Sequence, residues 1–225
     1  MGPGDRGVPL PRRRRGRGTA GSSYPGWLLK TPVWLVCLGI LGGYLAALVG
    51  DRLGANPVEA LSHASGAWAL RLLLLTLAMT PLRRLSGWSW PLRMRRLLGL
   101  WAFFYAVLHL SVWIWLDQGL DWRAMAEDLA KRPYVMLGMA AFGLLVPLAV
   151  TSTRGWMRRL GRRWKRLHRG VYPAALLAVG HFLWLTKADY LEPGIYAGVL
   201  LGLLGLRLIP QGPALGDSGR RFPSH

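Results

Sequence analysis

Two of the five histidines, His109 and His181, lie inside long apolar runs. An ionisable side chain within such a run is costly and marks a functional site by default. His109 belongs to the charge-free stretch LLGLWAFFYAVLHLSVWIWL (Leu97 to Leu116), and His181 to the run Val171 to Thr186. With a rise of ~1.5 Å per residue, His109 stands about 18 Å from Leu97 and His181 about 15 Å from Val171. If both segments are helices running the same way, the two imidazoles reach one depth in the outer half of a membrane. Two histidines on separate helices at one level form the axial pair that a b-type haem needs in a helical bundle. Hydrogen-bonded packing is the competing reading for a histidine in such a place, and spacing alone leaves both open. The single cysteine, Cys37, rules out an intrachain disulfide, and without Cys-x-x-Cys-His there is no covalent c-type haem.

His168 precedes His181 by about 20 Å of helix, so the two cannot ligate one iron together. Gly170 and Pro173 lie between them, and proline is best placed in a first helical turn. His168 is therefore expected at or just before a helix start, near the surface. There it would ligate a second haem, contact a flavin or quinone, or serve as one more cation in a basic loop. Arg71 is the other anomaly, about five residues inside the second apolar run. A guanidinium can clamp a haem propionate bidentately, or it can snorkel to the interface. His63, after Asn56-Pro57, is read as interfacial, and His225 lies in the tail. Eight tryptophans (Trp27, Trp34, Trp88, Trp90, Trp113, Trp115, Trp122, Trp156) fall near expected helix ends, as an aromatic belt requires. Trp101 and Trp184 lie closer to the histidines, as core packing or as flanks of a porphyrin.

The elements that must position these residues follow from composition. The chain has 225 residues, 52% hydrophobic and 17% charged, against roughly 25% charged in a soluble domain. Twelve Trp argue against disorder, and the apolar content argues against a soluble nucleic-acid binder despite a net charge of +19. Six apolar runs approach the about 17–25 residues that span a bilayer: Val33 to Gly50, Gly66 to Leu82, Leu97 to Leu116, Tyr134 to Val150, Val171 to Thr186 and Gly194 to Leu206, the last being the shortest. Alternating crossings put Lys and Arg on one side as seven in the N-terminal segment, five in the 2–3 loop, eight in the 4–5 loop and three in the tail. That is 23 against five in the opposite loops, a strong positive-inside signal. The expected fold is an all-α integral membrane protein, a six-helix bundle with both termini cytoplasmic. Residues 1–30 and 210–225 are expected to be disordered basic and polar tails around a transmembrane domain of residues 31–209. The basic loops need no function beyond topology, though binding to anionic headgroups follows from them. No internal repeat is visible. There is no arguable Ser-His-Asp or Cys-His arrangement, no Gly-x-Gly-x-x-Gly, no Walker A loop and no soluble nucleotide domain. Redox work would have to borrow both donor and acceptor.

Several stretches carry a family likeness. They are Asn56-Pro57-Val58-Glu59 with His63, LAMTPL (Leu77 to Leu82), RRLLGLWAFFYAVLHL (Arg95 to Leu110), KRPYVMLGMAAF (Lys131 to Phe142), PLAVTST (Pro147 to Thr153), LGRRWKRLHRGVY (Leu160 to Tyr172) and HFLW (His181 to Trp184). In order and spacing the chain resembles, over about residues 30–208, the MsrQ family. These are the haem-binding membrane subunits of the bacterial protein-methionine-sulfoxide reductase system MsrPQ, within the ferric-reductase-like transmembrane superfamily. The resemblance implies a b-type haem and electron transfer across the inner membrane to MsrP, a periplasmic molybdopterin enzyme that repairs oxidised proteins. It implies the quinone pool or a cytosolic flavin reductase as donor, and an association with FMN. The family's haem-related histidines fall on His109, His168 and His181, and Arg71 falls where relatives carry a basic residue. Another ferric-reductase-like electron-transfer protein is the first rival reading. A non-redox assembly factor or small transporter is the second, though a transporter should carry more polar residues along its helices.

Overall fold

The computed structural model describes residues 26–186 and 190–208, and among these every regular element is helical. The α-helices are α1 Gly26–Val49, α2 Pro57–Ser86, α3 Trp90–Ser111, α4 Trp122–Lys131, α5 Pro133–Val150, α6 Arg154–Leu160, α7 Arg162–Leu167, α8 Val171–Leu185 and α9 Leu191–Leu208. A π-helical stretch, Val112–Asp117, prolongs α3, and a 3-10 turn, His168–Gly170, leads into α8.

Local chemistry sets the ends. Asn56 caps α2: its side-chain oxygen accepts the Glu59 N–H (3.2 Å) and its amide reaches the Glu59 carboxylate (3.1 Å), with Pro57 in the first turn. The helix therefore starts well before Gly66, where the apolar run begins, and puts Ser62 and His63 on a helix. Gly87 closes it in the left-handed conformation (φ 71°), donating to the Arg83 carbonyl. α4 was not foreseen. It is a ten-residue surface helix capped by Asp121, with only Met125 buried. α1 already begins at Gly26, so residues 26–30 of the expected N-terminal tail are helical; the rest of that tail and the C-terminal one lie outside the described residues.

α1, α2, α3 with its π extension, α5 and α9 are each long and apolar enough to cross a membrane. The order of lengths differs from expectation. The sixth run, expected to be shortest, extends to the 18 residues of α9. The fifth becomes α8, which is as apolar but has only 15 residues; that is about 22 Å of helix against a hydrocarbon core of about 30 Å.

Side-chain pairs fix the helix directions. Tyr105 on α3 donates to the Cys37 carbonyl on α1 (2.7 Å), and Trp34 meets Trp101 edge-on at 4.9 Å, so α1 and α3 are parallel. α2 runs against α3, with Ser62 beside His109 and Thr76 beside Gly99. α8 runs against α5, with Gly138 beside His181 and Leu148 beside Gly170. α9 runs against α8 and along α2, since Tyr196 reaches Phe182 and Arg71 while Arg207 reaches Tyr172 and Leu77. Thus α1, α3 and α8 point one way, and α2, α5 and α9 the other. Leu70, Leu73, Leu77, Leu98, Trp101, Tyr105, Ala175, Val179 and Leu200 form the buried centre. Large apolar side chains on the outside of α1 and α9, such as Leu35, Val36 and Leu201, are exposed, as suits helices facing lipid. Every described acid (Asp51, Glu59, Asp117, Asp121, Glu127, Asp128, Glu192) stands at one end of the bundle, and the arginine-rich α2–α3 and α5–α8 connections stand at the other.

Candidate functional site

Two helical hairpins, α2–α3 and α5–α8, each hold one histidine by the same device. His109 Nδ1 lies 2.9 Å from the Ser62 carbonyl, and His181 Nδ1 lies 2.6 Å from the Tyr134 carbonyl. A carbonyl only accepts, so each Nδ1 carries the hydrogen and donates. Nε2 remains the lone-pair nitrogen, the form in which imidazole binds a metal. The histidine and its carbonyl are 47 positions apart in both hairpins. One helical turn beyond each carbonyl comes a glycine. A Cβ at Gly66 would stand 3.1 Å from His109 Nδ1 and Cε1, and one at Gly138 would stand 3.0 Å from His181 Nδ1. Only a glycine lets each ring lie flush against the neighbouring helix. The same histidine–carbonyl–glycine arrangement thus occurs in both hairpins, without a sequence repeat to announce it. It escapes a sequence scan because each copy fixes only two side-chain identities, the third member being backbone.

The two hairpins bring the rings together, edge-on, across the bundle. Their centroids are 6.2 Å apart and their planes cross at 72°. Two metal–imidazole bonds of about 2.0 Å, with ~1.1 Å from each ligating nitrogen to its ring centre, span about 6.2 Å. That span would let the two imidazoles hold one metal ion between them. Tyr134 packs on His181 at 6.1 Å. No group of three or more His, Cys, Asp or Glu stands together among the described residues. Two neutral imidazoles alone suit a metal whose other ligands arrive with it, as a porphyrin's four nitrogens do.

His168 sits in the 3-10 turn just before α8, at the basic end, away from the other two. Its ring lies against Trp164, tilted by 37° with centroids 3.9 Å apart, and the Trp164 indole donates to the Thr151 carbonyl (2.9 Å) at the end of α5. His168 Nδ1 is buried without a partner. Burial, and then the Arg95 charge, pull its pKa below the ordinary histidine value, which favours the neutral ring.

Arg71 has partners that the sequence did not reveal. Its Nε donates to the Tyr196 hydroxyl (2.7 Å), a terminal nitrogen lies 3.5 Å from the Glu192 carboxylate, and the guanidinium covers the Trp68 ring at 5.1 Å. Tyr196 and Glu192 are on α9, more than 120 positions away, and no local pattern signals them. His63 is largely exposed, 3.9 Å from Glu59 on its own helix, and His225 lies outside the described residues. Trp101 is buried among Trp34, Phe104 and Tyr105, while Trp184 is exposed.

Comparison with known proteins agrees with this architecture. The family described as "Ferric reductase like transmembrane component" matches residues 65–179. The chain is 57% identical over 158 residues to the protein-methionine-sulfoxide reductase heme-binding subunit MsrQ of Xanthomonas campestris pv. campestris strain 8004, covering 70% of this chain and 72% of that one. It is 56% identical over 179 residues to the MsrQ subunit of Rhodospirillum rubrum, covering 79% and 86%. With the MsrQ of Xanthomonas axonopodis pv. citri it shares 54% over 171 residues, covering 76% and 78%. An all-helical chain with five helices fit to cross a membrane, matched at this level over most of its length, is a multi-pass membrane protein that belongs to the MsrQ family of ferric-reductase-like transmembrane subunits.

Proposed function

We propose that this chain is a b-type cytochrome subunit carrying electrons across the bacterial inner membrane to a periplasmic molybdopterin methionine-sulfoxide reductase, MsrP, in support of protein repair. The observation that carries the proposal is the paired imidazole geometry: two rings with centroids 6.2 Å apart, each fixed by a carbonyl and seated on a glycine. His109 and His181 would hold the haem, which when bound supplies one-electron chemistry at iron. Ser62 and Tyr134 hold the Nδ1 protons, so that both Nε2 atoms stay free to ligate, and this anchoring raises the basicity of the ligands.

Topology supplies the direction. All six of α1, α2, α3, α5, α8 and α9 cross, with both termini and the arginine-rich connections cytoplasmic by the positive-inside pattern. The short α8 is served by the basic segment α6–α7, whose long side chains can snorkel from a thinned span. His109 lies far along α3 from the basic end, so the haem level is nearer the acidic, periplasmic end. A gap then remains on the cytoplasmic side of a core about 30 Å thick. His168, with its ring against Trp164 and its Nδ1 buried without a partner among the described residues, would serve a second redox centre there: a further haem, or FMN. Electrons would come from quinol or a cytosolic reduced flavin. Methionine sulfoxide is a polar lesion in an apolar side chain, and its reduction restores packing.

The test is a reduced-minus-oxidised spectrum of the purified protein, followed by reconstitution with MsrP in liposomes. A reducible b-type spectrum, and methionine sulfoxide reduction driven by quinol or reduced flavin on the opposite side, are expected. A colourless protein from haem-replete cells would overturn the proposal.

A further inference from the structure

The basic end of the bundle brings guanidinium groups together with no counter-ion among the described residues. Arg207, in the last turn of α9, turns inward. One terminal nitrogen donates to the Tyr172 hydroxyl on α8, the other donates to the Leu77 carbonyl on α2 (2.5 Å), and the guanidinium lies 5.0 Å from the centre of the Tyr172 ring. Its Nε is buried without any partner. Tyr172 favours its charge, while the charges of Arg95, at the start of α3, and Arg84, at the end of α2, repel it. Arg95 also bears on His168. Among the described residues no carboxylate comes within ion-pair distance of Arg84, Arg95 or Arg207, since every described acid is at the far end.

Burying a guanidinium is costly unless a charge of opposite sign meets it. Bringing two more guanidinium groups up to it raises that cost. Four helices converge to do so, and an anion from outside the described chain would resolve the conflict. The surroundings indicate which anion. Leu85, Leu206 and Leu208 beside these arginines are exposed apolar side chains at the ends of α2 and α9. A group of arginines bordered by exposed leucines, at the end of membrane-crossing helices, matches a group that is a phosphate on one side and acyl chain on the other. Basic pockets between membrane helices bind lipid headgroups in this manner.

We propose that Arg207, Arg95 and Arg84, with the Tyr172 hydroxyl, form a site for the phosphate of an anionic phospholipid, which clamps α9 to α2, α3 and α8. The site rests on the membrane setting of the chain and not on the haem assignment. Its probe is phosphatidylglycerol, added to the delipidated, haem-loaded full chain in detergent while thermal unfolding is followed. Bound lipid is counted by native mass spectrometry. Phosphatidylglycerol should raise the unfolding temperature in a saturable way, whereas phosphatidylcholine and inorganic phosphate at equal concentration should not. Arg207→Gln should need about tenfold more phosphatidylglycerol for half the effect, as the loss of a charge-assisted fork implies, with its haem content and spectrum unchanged. Should Arg207→Gln fold poorly, the exposed Arg84→Gln serves, with a smaller loss in the same direction. Three results would overturn the proposal: both variants responding to phosphatidylglycerol like the parent; inorganic phosphate reproducing the effect, which points to a soluble phosphate; or Arg207→Gln losing haem while keeping its lipid response, which points to a propionate.

Discussion

Gly138→Ala tests whether the helix surface beneath an imidazole sets its ligating position. The added methyl would stand 3.0 Å from His181 Nδ1, 3.2 Å from Cε1 and 3.4 Å from Cγ. Ordinary contact begins near 3.4 Å, so the ring must retreat by several tenths of an ångström or α5 must part from α8. Neither is free. Retreat lengthens the bond to the Tyr134 carbonyl, which contributes about 1 kcal/mol, and overpacking a close-packed contact costs roughly 1–3 kcal/mol. At about 1.4 kcal/mol per tenfold, haem affinity should fall about 10–100-fold, in line with the typical effect of disturbing a residue that orients a metal ligand. Gly143→Ala is the matched control on the same helix, because nothing lies within 4 Å of a Cβ there. The assay is haem titration of the apoprotein, with midpoint potential as a second readout. Gly66→Ala should behave like Gly138→Ala through His109. If Gly138→Ala bound haem as tightly as Gly143→Ala, with the same potential, the argument from the glycine cradle would be refuted.

Other consequences are as direct. Tyr105→Phe removes the buried bond to the Cys37 carbonyl and should destabilise the α1–α3 contact by about 1 kcal/mol, read as a lower unfolding temperature with an unchanged spectrum. Arg71→Gln breaks the bonds to Tyr196 and Glu192. Stability should fall by about 1–2 kcal/mol with haem potential preserved, whereas a shifted potential with stability preserved would return Arg71 to a propionate role. His168→Ala should slow electron entry from the cytoplasmic donor in stopped flow and leave the axial pair intact, and a normal rate would make His168 a surface side chain only.

The apolar runs marked α1, α2, α3, α5, α8 and α9, five of them long and apolar enough to cross a membrane, and constant helix rise put His109 and His181 at one level, where their rings meet. What stayed hidden was structure carried by the backbone or by distant partners. The carbonyls of Ser62 and Tyr134 have no side-chain signature, and Gly66 and Gly138 look like any small residues in a membrane helix. α4 is too short and polar to register in a scan for spans, and its start depends on one capping carboxylate, Asp121. α2 starts at Pro57, where polar residues mask the helix from a hydropathy reading but the Asn56–Glu59 cap marks it. Arg71 reads as an isolated cation because its partners, Tyr196 and Glu192, lie on a helix distant in sequence, and the partners of Arg207, Leu77 and Tyr172, are equally remote.

The account stands on one iron gripped by His109 and His181, and low-temperature electron paramagnetic resonance of the oxidised protein tests it most directly. The parent should give a low-spin ferric signal of the strongly anisotropic kind that steeply crossed axial rings produce, here at 72°. That signal should vanish in both His109→Ala and His181→Ala, leaving high-spin or absent haem. Survival of the same low-spin signal in either variant would contradict the account.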